Sequence, residues 1–141
     1  MKSSDQQVSA KLVLARLLYW WRGLFEDPVQ LFIRVGVEST DSVLEIGCAI
    51  GFYTTALAQI ASNGRVLAVD TWEEGIAFIG RRPGNEQNVE LICMDAELLE
   101  LPSSSLDKVV CFDTFHEVPD HERALERWVT FLKKRGKFYF R

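Results

Sequence analysis

Apolar runs of strand length recur along the chain as "SVLEIG", "RVLAVD", "VELICMD" and "KVVCF", with helical stretches in between. Consecutive strands separated by helices cannot pair as hairpins. They pair in parallel through right-handed crossovers, which buries both faces of the sheet and explains why these runs are almost wholly apolar. The expected architecture is therefore a three-layer α/β/α fold on a parallel sheet. "FYTTALAQIA", "WEEGIAFIGRR" and the stretch from Asp120 to Arg135 supply the intervening helices, and "KFYF" is a fifth strand. Leu125, Trp128, Val129 and Leu132 mark one face of the last helix, with Lys133 to Arg135 at its end and Gly136 as its C-terminal cap.

The 141 residues, 48% of them hydrophobic, suffice for one core. We divide them into an N-terminal helical segment, residues 1–38, and a core domain, residues 39–141. A net charge of −4 excludes general attraction to nucleic acid, and the "KKR" cluster is accounted for by the helix end. Cys48, Cys93 and Cys111 lie in or beside strand-like runs without CxxC spacing, so no metal site is expected and the thiols read as buried and reduced, in a cytoplasmic protein.

The polar start "MKSSDQQVSA" lacks the apolar core of a secretory signal, and the stretch from Val8 to Phe25 carries too many cations for a membrane span. It reads as an amphipathic helix. Leu12, Leu17, Trp20 and Leu24 are expected to pack on the domain, with Lys11, Arg16, Tyr19, Arg22 and Glu26 on the other side. Pro28 ends it and starts a short second helix reaching about Val35.

The chemistry concentrates where strands end. In open parallel sheets ligands bind outside the carboxyl ends of the strands, at the point where strand order reverses. The first strand carries Glu45 and is followed by Gly47, Cys48, Ala49, Ile50 and Gly51, a turn that leads into a helix. Missing Cβ atoms there let the backbone approach a ligand. Pyrophosphate binding would need G-x-G-x-x-G, which is absent, and Glu45 would repel it. An ammonium or sulfonium would be favoured instead. Asp70 ends the second strand, placed for ribose hydroxyls, and Asp95 ends the third, with Ala96 beside it for an adenine ring.

These motifs resemble the class I, Rossmann-like S-adenosylmethionine-dependent methyltransferases, in the branch that methylates small molecules. "VLEIGCAIGFYTTALA" is similar to the family's E/D-x-G-x-G-x-G motif, and "VLAVD", "CMDAELLELP" and "LDKVVCFDTFHEV" to the motifs after it. The resemblance runs from Ser42 to Arg141. It implies S-adenosylmethionine as cofactor, S-adenosylhomocysteine as product and a sheet ordered 3-2-1-4-5. It also implies that Glu45 and Gly47 to Gly51 meet the methionine part, Asp70, Thr71 and Trp72 the ribose and adenosine, and Asp95 and Ala96 the adenine. Cys111 and Phe112 would close strand four against the amino-acid moiety.

The chain departs from that family at Ala49, where the pattern has glycine; the substitution is expected to be mild provided φ is negative. It also stops at strand five, whereas the family's sheet has seven strands. An open fifth strand predicts a homodimer through that edge. No catalytic residue is assigned, though His116, Glu117 and Asp113 are the candidate bases for an acceptor that must lose a proton. The expected activity is methyl transfer to a small molecule. The alternative is a non-catalytic methyltransferase-like subunit that acts through a partner.

Overall fold

The structure is a computed structural model that describes residues 8–82, 87–114 and 118–141. The elements run α1 (Ala10–Gly23), α2 (Pro28–Arg34), β1 (Ser42–Ile46), α3 (Phe52–Ile60), β2 (Arg65–Asp70), α4 (Glu73–Gly80), β3 (Val89–Cys93), β4 (Leu106–Cys111), α5 (His121–Phe131) and β5 (Leu132–Phe140). The strands form one sheet in the order β3-β2-β1-β4-β5, parallel throughout. Both the fold and the strand order are those expected from the sequence.

Alternation along each strand builds two cores. Val43, Val66 and Val110 point to one face, where Phe32 of α2 and Tyr53, Ala56 and Leu57 of α3 cover them. Their neighbours Leu44, Leu67, Val109 and Cys111 point to the other, under Ala124, Trp128 and Phe131 of α5. Period-two geometry fixes this assignment, and it puts Glu45 on the α3 side. α2 begins where Pro28 occupies the first turn and the Asp27 carboxylate accepts from the Val29 and Gln30 amides.

The structure corrects several boundaries. α5 ends at Phe131 and passes directly into β5, so Lys133 to Arg135 and Gly136 lie in the strand and not at a helix end. Val129 is exposed, and the buried stripe is Ala124, Trp128 and Phe131. Between Leu106 and Lys108 the β4–β5 register slips, because Leu106 faces Leu132 while Lys108 faces Lys137. Gly136 sits in this bulge, where a Cβ would approach the Leu132 side chain and the Lys133 carbonyl to 3.0 Å. The bulge and the exposed Lys133, Lys134, Arg135 and Lys137 are devices that discourage edge pairing, so β5 is less open than its sequence suggests. Cys93, expected to be buried, is exposed at the end of β3.

The largest correction concerns α1. Leu17, Trp20 and Leu24 face outward, each more than half exposed, and of the helix only Leu12 is fully buried. The seam against the domain keeps Leu12, as expected, but continues through Ala15, Tyr19 and Arg22 to Glu26. Tyr19 stacks on Phe52 at 5.3 Å, and the Arg22 guanidinium donates to Tyr53 Oη at 3.0 Å and pairs with Asp113.

Candidate functional site

A cleft of about 1390 Å³ opens at the carboxyl ends of the strands, roofed by α1. It spans the gap between β1 and β4, where strand order reverses. Among the residues singled out from the sequence, Gly47, Ala49, Asp70, Thr71, Trp72, Asp95 and Ala96 line it. Glu45, Cys48, Gly51, Cys111 and Phe112 lie behind its wall.

The loop after β1 is held by the strand beside it. Gly47 N–H donates to the Val69 carbonyl at 2.8 Å, and Ala49 N–H donates to Asp70 Oδ2 at 2.9 Å. Asp70 Oδ1 accepts from the Trp72 amide at 2.9 Å, and its carbonyl from the Met94 amide at 3.0 Å. One residue thus knits together the turns after β1, β2 and β3. Each carboxylate oxygen retains acceptor capacity beyond these bonds. Gly47 has φ +77°, and a Cβ there would overlap Thr114. Ala49 has φ +47°, so the condition of a negative φ under which the substitution would be mild is not met, and alanine holds a left-handed position that glycine would occupy without strain. Gly75 of α4 makes room for this turn, since a Cβ on it would come within 2.5 Å of the Ala49 carbonyl.

Glu45 is 2% exposed. Its Oε2 accepts from Thr54 Oγ1 of α3 at 2.6 Å, while Oε1 has no hydrogen-bond partner. Burial, offset in part by the Thr54 bond and reinforced by the Asp70 charge, pushes its carboxyl up to about 7. A buried acceptor lacking a donor is costly unless a proton or a bound cation satisfies it.

Asp95 caps the short 3₁₀ turn Ala96–Leu98 by accepting from the Glu97 amide at 2.9 Å. The Ala96 carbonyl accepts from Trp128 Nε1 at 3.0 Å, so this wall of the cleft is pinned to the α5 core. Cys48 and Cys111 are buried, which raises both thiols, Cys111 to about 12. Phe112 packs parallel to Phe32 at 5.6 Å and edge-on to Tyr53 at 5.3 Å. These side chains support the wall from behind.

The α1 side of the site was not legible in the sequence. Arg22 and Arg141 both reach Asp113, the latter at 3.9 Å, and Arg141 also donates to Glu26 at 3.0 Å and to Tyr53 Oη at 2.5 Å. Burial pushes the Tyr53 hydroxyl up to about 12, so it acts as a neutral relay between charged groups. Asp113 is thereby engaged by two guanidiniums. His116 and Glu117 lie outside the described residues. Lys11 Nζ sits 4.4 Å from the centre of the Trp72 ring. Among the described residues no cluster of His, Cys, Asp and Glu could hold a metal ion.

The methyltransferase domain family matches residues 44–140. The chain is 26% identical over 100 residues to a ubiquinone biosynthesis O-methyltransferase from Coxiella burnetii, covering 70% of this chain and 42% of that protein. It is 32% identical over 103 residues to a malonyl-[acyl-carrier protein] O-methyltransferase from Acetivibrio thermocellus, covering 73% and 36%. The crystal structure of a SAM-dependent methyltransferase from Aquifex aeolicus shares the fold, with a TM-score of 0.73 at 24% identity over 81% of this chain and 62% of that one. The chain thus spans less than half the length of these two curated relatives. With the matched segment running from β1 to the last residue of β5, the chain belongs to the methyltransferase domain family.

Proposed function

We propose that the protein transfers a methyl group from S-adenosylmethionine to a small-molecule acceptor. The observation that carries this reading is the cleft lining, which brings the Gly47–Ala49 turn together with Asp70 and Asp95, with the buried Glu45 and its unpartnered oxygen behind it. Its acceptor set fits the cofactor, because a sulfonium and an ammonium supply the positive charge that these acids lack. Asp70 and Asp95 present their carboxylates in the cleft to hydroxyl and amine donors. In this reading Glu45 and the loop from Gly47 to Gly51 hold the methionine part. Asp70, Thr71 and Trp72 hold the ribose and its surroundings, and Asp95 and Ala96 the adenine. Cys111 and Phe112 contribute main chain only.

The bound cofactor supplies an activated methyl group, which leaves alignment of the acceptor to the protein. Leu18 and Trp21 of α1, Phe25 just beyond it and Leu31 of α2 form an apolar wall on the far side of the cleft, suited to the body of the acceptor. Arg22 and Arg141, fixed by Asp113 and Glu26, border that wall. The three free cysteines are in keeping with a reducing, cytoplasmic setting. No helix among the described residues is long and apolar enough to cross a membrane.

Isothermal calorimetry with S-adenosylmethionine and S-adenosylhomocysteine tests the reading. Binding is expected, weakened at least tenfold by Asp70→Asn and abolished by Met94→Trp, which fills the cleft. A folded wild type that binds neither compound would overturn it. A second reading, a cofactor-binding subunit that methylates nothing by itself, is favoured by the exposed apolar wall of α1. It predicts binding without turnover against any acceptor panel.

A further inference from the structure

Away from the cleft, on the opposite flank of α1, a second groove of about 750 Å³ runs between α1, α3 and α4. Val13, Leu17 and Trp20 form one wall, and Phe52 and Phe78 the other. None of its lining residues is acidic, and two are arginines: Arg16 and Arg82. Both guanidiniums lie 5.6 Å from the centre of the Phe78 ring, and neither makes an ion pair among the described residues.

The apolar exposure does not end at the groove. Leu17 is 59% exposed and Trp20 65%, and Leu14, Leu18, Trp21 and Leu24 continue the surface around the helix. Over 14 residues, or about 21 Å of helix, this is more apolar surface than one small ligand covers. α1 carries Lys11, Arg16 and Arg22 and no acid, in a chain whose net charge is −4. A second copy seated two-fold on this face would bring Arg16 and Arg82 against their own counterparts. A planar partner that is apolar within and anionic at its surface satisfies both features.

We propose that the outer face of α1, with the groove beside it, docks on a lipid bilayer carrying anionic headgroups. Trp20 and Leu17 enter the headgroup–acyl boundary, and Arg16 and Arg82 meet the phosphates. The helix lies in the interface and does not span it. The cleft opens on the other flank of the same helix, so docking brings its mouth close to the bilayer surface.

The test is co-flotation of the whole chain with vesicles of phosphatidylcholine alone or mixed with phosphatidylglycerol, together with quenching of tryptophan fluorescence by brominated lipid. Binding to the mixed vesicles alone is expected, with quenching and loss at high salt. Each guanidinium near an anionic surface contributes about a fivefold factor, so Arg16→Ala with Arg82→Ala should weaken binding about 25-fold. Leu17→Asp should abolish it while leaving the melting temperature and cofactor binding unchanged, because Leu17 is exposed and outside the cleft. Equal binding to both vesicle types, no binding to either, or a wild-type dimer that Leu17→Asp splits would each overturn the proposal. The last result would assign the face to a second copy.

Discussion

Glu45 makes the stability of this protein depend on pH in the sense opposite to most carboxylates. Burial raises its carboxyl from the ordinary 4.5 to about 7. Between these values the folded chain holds a proton that the unfolded chain has released. Unfolding therefore releases it, and stability falls as pH rises through this window. At about 1.4 kcal/mol per pH unit, the loss is about 3 kcal/mol, complete above pH 7 and absent below 4.5. Glu45→Gln keeps an acceptor for Thr54 Oγ1 and removes the titration. Urea unfolding followed by circular dichroism, in steps from pH 4.5 to just above 7, should show the wild type losing about 3 kcal/mol relative to the variant. Parallel pH profiles for the two proteins would refute the argument, because only titration of Glu45 separates them. If the proposed cofactor binds, its positive charge favours the ionised form. Calorimetry in buffers of different protonation enthalpy should then record proton release on binding just below pH 7.

Ala49→Gly should stabilise the fold by about 0.5 kcal/mol, because relief of the left-handed strain slightly exceeds the added freedom of the unfolded chain; a melting temperature below wild type would contradict this. Lys108 Nζ and Asp41 Oδ2 form a buried ion pair at 2.9 Å, so Lys108→Met should cost about 3 kcal/mol by stranding the Asp41 carboxylate. The double change Lys108→Met with Asp41→Asn should recover part of that loss, and a double-mutant cycle in urea measures the coupling. Pairing of two copies along β5 would oppose Lys133, Lys134, Arg135 and Lys137 across the edge, so any such dimer should strengthen with salt; light scattering at low and high ionic strength reads this directly.

Local pattern made the sheet readable. A strand shows as an apolar run, and parallel pairing follows from helices between strands, so the parallel sheet and the acids at strand ends needed no tertiary information, while the order β3-β2-β1-β4-β5 was implied by the family resemblance. The same reasoning placed Gly47, Ala49, Asp70, Asp95 and Ala96 together at the cleft. It did not disclose that Asp70 ties three turns together, because its partners Ala49 and Met94 belong to other loops. The sign of φ at Ala49 follows from that anchorage and from the close approach of Gly75, which composition cannot report.

α1 marks the boundary most clearly. Its residues are apolar on nearly every side, so periodicity establishes that a helix forms, but the flank it selects to turn inward, with Leu17, Trp20 and Leu24, is the exposed one. That choice rests on groups far along the chain: Phe52 under Tyr19, and Tyr53 and Asp113 beside Arg22. Sequence alone determined the strands, the helices between them and the acidic strand ends, because these depend on neighbours within a few residues. Only the tertiary structure turned the polar seam of α1 towards the cleft and its tryptophans outward, because partners 31 and 91 residues away make the deciding bonds.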